Sequence, residues 1–194
     1  MNRIVFELSD LNQGYLDGFF VGDGYSHYNK NDRHYRVEFY LNSDRDGDIR
    51  AKLQEILEKA GLKGRERKDK RFDSLRLRVD SKEFYGKMAS KSQKLETATS
   101  KSQDYLMGFL SGFIDAEGYV VKGDITVTQQ DKGVLLKIAE ICGLLHIPIG
   151  KMWSFKNAKT PREIWRLRIL TNIKHYKHIS CKINRIYSGS PLPP

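Results

Sequence analysis

Asp23 and Glu117 are the residues best placed to do chemistry: each closes an apolar run and each is followed by a glycine. The runs are Leu16-Asp17-Gly18-Phe19-Phe20-Val21-Gly22-Asp23-Gly24 and Leu110-Ser111-Gly112-Phe113-Ile114-Asp115-Ala116-Glu117-Gly118. Small residues recur four apart, Gly18 and Gly22 in the first run, Gly108, Gly112 and Ala116 around the second, so each predicted helix has a stripe almost without side chains. Such a stripe lets two backbones touch. Gly24 and Gly118 suit a left-handed residue that ends a helix, which puts both acids at helix C-terminal ends. A carboxylate there opposes the macrodipole by about 0.3–1 kcal/mol, and two such helices side by side add repulsion between the acids. The arrangement calls for a cation between them. Carboxylate oxygens are hard donors that suit Mg²⁺, an ion that keeps several waters of its own.

A second pattern repeats at nearly the same interval. Leu75, Leu77 and Val79 alternate with Arg76, Arg78 and Asp80, and Trp165, Leu167 and Ile169 alternate with Arg166 and Arg168. Each is a strand with one apolar and one largely cationic face. The acids lie 94 residues apart (23 to 117) and the strands 90 (77 to 167), so the repeat is a whole folding unit. The arginine faces could serve a binding surface; a solvated face bridged to Glu38 or Asp80 is the plainer alternative.

Composition narrows the partners. Thirty-four Lys and Arg against 24 Asp and Glu give a net charge of +10 in 194 residues, which favours partners made of phosphate without choosing among DNA, RNA and acidic membrane. No apolar stretch is long enough to span a bilayer, and the polar start Met1-Asn2-Arg3 does not read as a secretory signal, so an intracellular protein is expected. Cys142 and Cys181 are far apart and outside any Cys-x-x-Cys spacing, which indicates neither a disulfide framework nor zinc. His175 and His178 have a metal-compatible spacing but no third ligand.

The two runs resemble the LAGLIDADG motif of homing endonucleases. Leu16, Gly18, Asp23 and Gly24 match in the first copy, and Leu110, Gly112, Ile114, Asp115, Ala116 and Gly118 in the second. Asp17 stands where the motif has its first alanine, Val21 where it has its first aspartate, and Glu117 where it has its last. The resemblance covers nearly the whole chain and is nearest to compact archaeal, intron-encoded members that carry two motifs in one monomer. It implies a saddle lying along double-stranded DNA and a metal-dependent double-strand break at a long asymmetric site. By the same resemblance Asp23 and Glu117 are catalytic metal ligands, joined by the carbonyl oxygens of Gly22 and Ala116. Mg²⁺ is the implied cofactor, with Mn²⁺ substituting and Ca²⁺ binding without supporting cleavage. Gln129, Asn42 and Lys122 are the implied auxiliary catalytic residues, Lys122 having no counterpart in the first half. Arg33, Arg36, Tyr40, Arg76, Arg78, Gln130, Arg166 and Arg168 are the candidate DNA contacts. Two other functions use the same fold: an RNA maturase whose partner is intron RNA, and a DNA-binding module without cleavage. Retention of both acids argues against the second.

The elements that must position these residues follow from periodicity. After the first motif, Tyr35 to Leu41 alternates as a strand, with Val37, Phe39 and Leu41 inward, and Asp46 to Ala60 has helical spacing with Gly61 to stop it. A helix from Ser81 to about Ala89 precedes a Ser, Thr and Lys-rich linker; the second unit ends in a helix expected from Thr171 to Tyr187. Trp153 and Phe155 read as core in preference to groove contacts. The expected fold class is α+β: two pseudo-symmetric αββαββα units, residues 1–90 and 104–187, each an antiparallel four-stranded sheet with helices on one face. A linker, 91–103, joins them, and a tail, 188–194, closes the chain.

Overall fold

A computed structural model describes residues 7–69, 73–121, 124–156, 162–170 and 174–188. The first unit runs α1 (Asp10–Asp23), β1 (Gly24–Asn29), β2 (His34–Asn42), α2 (Gly47–Lys59), β3 (Arg65–Asp69), β4 (Ser74–Val79), α3 (Lys82–Met88) and α4 (Lys91–Ala98). The second runs α5 (Gln103–Glu117), β5 (Gly118–Val121), β6 (Asp124–Gln129), α6 (Lys132–Leu144), β7 (Trp153–Lys156), β8 (Glu163–Ile169), a short 3-10 helix (Lys174–His178) and α7 (Cys181–Tyr187). Each sheet has four antiparallel strands, in the orders β1-β2-β4-β3 and β5-β6-β8-β7. The α+β class and the repeated unit stand as expected.

Alternation in the strands sets the faces. Val37, Phe39, Leu41, Leu75, Leu77 and Val79 are buried with Ile49, Leu53, Ile56 and Leu57 of α2, giving one core per unit. Ile125, Val127, Leu167 and Ile169 do the same with Leu135, Ile138 and Ile141 of α6. α2 ends as its sequence directs: Gly61 takes φ 71°, and the Leu62 amide reaches back to the Leu57 carbonyl at 2.9 Å.

Three local expectations change. Lys91 to Ala98, read as part of a linker, is the helix α4, capped by the Ser90 hydroxyl; Lys94 and Ala98, both buried, and the partly buried Leu95 supply its inner face. The terminal helix is broken into the 3-10 turn and α7, because Ser180 restarts it as an N-cap. Gly24 and Gly118 are extended, with φ of −95° and −80°, not left-handed. Their glycine requirement is one of space: a Cβ on Gly24 would lie 2.4 Å from the Phe20 carbonyl oxygen, and one on Gly118 2.5 Å from that of Ile114.

Candidate active site

The site is built where α1 and α5 meet. A Cβ on Gly18 would sit 1.9 Å from the Phe109 carbonyl oxygen, and one on Gly112 would sit 2.1 Å from that of Tyr15. The two helices therefore touch backbone to backbone, as the small-residue stripes predict. A Cβ on Gly22 would lie 3.0 Å from Cγ of Glu117, so the contact runs to the helix ends and brings the second acid onto the first motif. Val21 packs into the core of the second unit and Ala116 against that of the first, so each motif helix crosses toward its neighbour's half.

Burial raises the Asp23 carboxyl to about 6, against the opposing pull of Lys182 and Lys91. Burial first, and then the charge of Asp23, raises Glu117 to about 7, opposed by the same two lysines and by a hydrogen bond from Gln129. Both acids thus release their protons at higher pH than an exposed carboxyl does. The positive charge of two lysines reaches both acids, although neither lysine was singled out from the sequence. Lys91 Nζ donates to the carbonyl oxygens of Val21 and Gly22 at 3.0 and 2.9 Å, and Lys182 Nζ donates to that of Ala116 at 3.1 Å. Burial lowers both amines from the ordinary lysine value. The Gly22 and Ala116 carbonyls expected to serve a metal are here lysine acceptors.

The auxiliary residues separate. Gln129 Nε2 donates to Glu117, in the second unit. In the strand pairing, Gly24 faces Phe39 and Gly118 faces Val127, so the residue equivalent to Gln129 is Leu41, not Asn42. The Asn42 side chain instead accepts from the amides of Asp44 and Arg45, at 3.0 and 2.9 Å, within its own turn. Lys122 lies outside the described residues. Asp46, which carries no motif or spacing to single it out, lies close enough to raise Asp23 and to oppose the lowering of Lys182.

Among the described residues no group of three or more His, Cys, Asp and Glu side chains forms a metal cage. What the chain offers is a pair of half-buried carboxylates with raised proton affinity, a donor set that fits a hard, water-retaining divalent cation.

Residues 104–174 match the LAGLIDADG-like domain family. Over the whole length, the homing endonuclease I-DmoI in complex with DNA and Ca is similar in fold, with TM-score 0.68 and 22% identity over 95% of this chain and 94% of that one. A structure of mesophilic I-DmoI variants aligns with TM-score 0.66 and 19% identity, covering 95% and 98%. The chain shares the two-unit fold of that enzyme. Full-length DUF199/WhiA from Thermatoga maritima shares the fold more distantly, at TM-score 0.61 and 13% identity, covering 97% of this chain and 63% of that one. No curated protein matches in sequence.

The helix-free faces of the two sheets carry the arginines. On the first sheet most are tied to acids: Arg78 Nε to Asp80 at 2.7 Å, Arg36 to buried Glu38 at 3.6 Å, and Arg76 to Asp69 at 3.9 Å. Tyr40 donates to Glu38 at 3.2 Å, and Arg76 lies over its ring. Arg33 sits exposed in the β1–β2 turn with φ 49°, and Gln130 accepts from Arg162 at 3.4 Å. On the second sheet Arg168 pairs with Asp124, but Arg166 is packed over Phe155 at 4.1 Å and near Tyr119 at 5.6 Å. Trp153 and Phe155, expected in the core, lie on this open face: Trp153 pairs with Arg166 across the strands and is 39% exposed. Tyr25 and Tyr119, each the residue after a motif glycine, are exposed on the same faces at 49% and 37%.

Proposed function

We propose that this chain is a site-specific DNA endonuclease that makes a double-strand break in a long, asymmetric duplex site. The observation that carries the reading is the pair Asp23 and Glu117, held half-buried at touching helix ends with their carboxyls raised to about 6 and 7. No structural task needs two acids there, since an apolar or amide pair would avoid both burial and repulsion. β1 and β5 leave these helix ends, and the sheets they begin carry Arg36, Arg76, Arg78, Arg166 and Arg168, where phosphate and base edges can be met. The endonuclease structures similar in fold were determined with DNA and divalent ions.

A divalent cation, Mg²⁺ by preference with Mn²⁺ as substitute, supplies charge neutralisation and water activation when bound. Asp23 and Glu117 would hold it. Lys91 and Lys182, close to both the acids and the motif carbonyls, hold the negative charge that builds on the phosphate during hydrolysis. Gln129 orients the Glu117 carboxylate through its amide. The first half lacks this donor because Leu41 stands in its place, so the two strand cleavages proceed at unequal rates. The unlike sheet faces read unlike half-sites, and the working species is one chain with internal pseudo-symmetry. Ca²⁺ supports binding without cleavage.

The test is incubation of the protein and Mg²⁺ with a randomised duplex library, followed by sequencing of newly formed ends. One long, non-palindromic sequence cut on both strands is expected. Palindromic sites would refute the fused-halves reading. Absence of cleavage together with tight binding of structured RNA would favour the maturase.

A further inference from the structure

Asp17 is a buried acid that the proposed chemistry does not use. It is 4% exposed in the α1–α5 seam and accepts three hydrogen bonds: Lys94 Nζ at 2.6 Å, Tyr105 hydroxyl at 2.7 Å and Gln13 Nε2 at 2.9 Å. A buried ion pair seldom stabilises more than apolar packing of the same volume, so closure of the seam alone does not explain it. The equivalent residue of the second motif, 94 positions on, is Ser111, whose buried hydroxyl has no partner among the described residues.

The connection to the site lies in spacing. Lys91 and Lys94 are three apart on α4, and Asp17 and Val21 are four apart on α1, so each pair shares a helix face. The two helices are thereby pinned by two rungs one turn apart. Lys94 on Asp17 is the outer rung, and Lys91 on the Val21 and Gly22 carbonyls is the inner one, beside Asp23. The outer rung fixes where along α1 the start of α4 lies, and so where the Lys91 amine lies. The second unit sets Lys182 by other means. Asp115, 1% exposed, accepts the Cys181 and Lys182 amides, both at 2.9 Å, and the Ser180 hydroxyl at 2.6 Å. In the first motif Val21 occupies the position of Asp115 and offers no such acceptor.

We propose that Asp17, through Lys94, is the positioning residue for Lys91, and that the two site lysines are set independently, Lys91 by this ion pair and Lys182 by Asp115. The proposal rests on the endonuclease reading for its effect on catalysis, but not for its effect on Lys91 itself.

The test is the apolar double variant Asp17→Leu with Lys94→Met, which refills the seam with apolar side chains, its fold checked by a thermal melt. Nicking of a supercoiled plasmid carrying the selected site gives the two strand rates separately. Lys91→Met should slow one strand selectively and Lys182→Met the other. The double variant should slow the same strand as Lys91→Met by about tenfold or more, since misplacement by about an ångström has effects of this order. Amine acetylation read by mass spectrometry provides a measure independent of activity: Lys91 should be protected in the wild type and reactive in the double variant, with Lys182 unchanged. Equal slowing of both strands, or unaltered Lys91 protection, would overturn the proposal. A wild type that cuts neither strand refutes the endonuclease reading, and the labelling result then decides the positioning alone.

Discussion

Replacing Glu117 with Gln removes the less favourably placed of the two motif acids, and the structure sets both the sign and the pH window of the effect. Burial and the neighbouring Asp23 lift Glu117 from the ordinary 4.5 to about 7. At 1.36 kcal/mol per pH unit this is about 3 kcal/mol against the ionised form, and partial exposure to solvent reduces it to about 2 kcal/mol. A carboxyl whose folded-state value is raised contributes its stability below the unfolded value, and that contribution is lost as pH rises through the folded value. Below about pH 4.5 wild type and Glu117→Gln should therefore melt together. Between pH 4.5 and 7 they should diverge, and above pH 8 the variant should be more stable by about 2 kcal/mol, or roughly 4–8 °C for a chain of this size. Thermal melts in EDTA from pH 4 to 9 measure this directly. A difference independent of pH, or a variant less stable than wild type at pH 8.5, would refute the assignment of Glu117 as a buried, repelled carboxyl.

Other consequences follow from single contacts. Gly18→Leu places side-chain atoms into the Phe109 backbone, where even a Cβ would be 1.9 Å from the carbonyl oxygen; separation of α1 from α5 should prevent cooperative unfolding in a melt. Gln129→Leu removes a hydrogen bond that holds the Glu117 value down, so the acid limb of the pH–rate profile should move to higher pH and only one strand should slow. Arg166→Ala, at an arginine held by aromatic rings, should relax preference at one base pair of one half-site by about 1–3 kcal/mol, leaving the other half-site unchanged. Arg78→Ala, at a guanidinium already paired with Asp80, should shallow the salt dependence by less than the roughly one unit expected for a phosphate contact.

Periodicity made most of the fold legible. The small-residue stripes foretold the touching helices, and alternation at Leu75–Val79 and Trp165–Ile169 foretold two sheets with cationic open faces. Lys91 and Lys182 were not legible, because each reaches the site only by the docking of a separate helix on a motif helix, and neither sits at a fixed spacing from its acid. Lys91 was further hidden in a stretch read as linker: α4 turns inward a lysine stem, Lys94, where a continuous apolar stripe was expected, and only Asp17 on another helix explains that. Asn42 was singled out as the nearest polar residue in the first half, but the strand register makes Leu41 the counterpart of Gln129, and the neighbouring Asn42 belongs to the other sheet face. For Trp153 the core was preferred to a groove contact, but β7 is a short strand at the sheet edge and exposes it.

The most direct test of the whole account is cleavage of the selected duplex in Mg²⁺ by wild type, Asp23→Asn and Glu117→Gln, with binding measured in parallel in Ca²⁺. The wild type should produce a double-strand break, and each single variant should bind with an unchanged Kd while producing no linear product. Variants that cut both strands at the wild-type rate would show that the two motif acids are not the centre of this protein's chemistry.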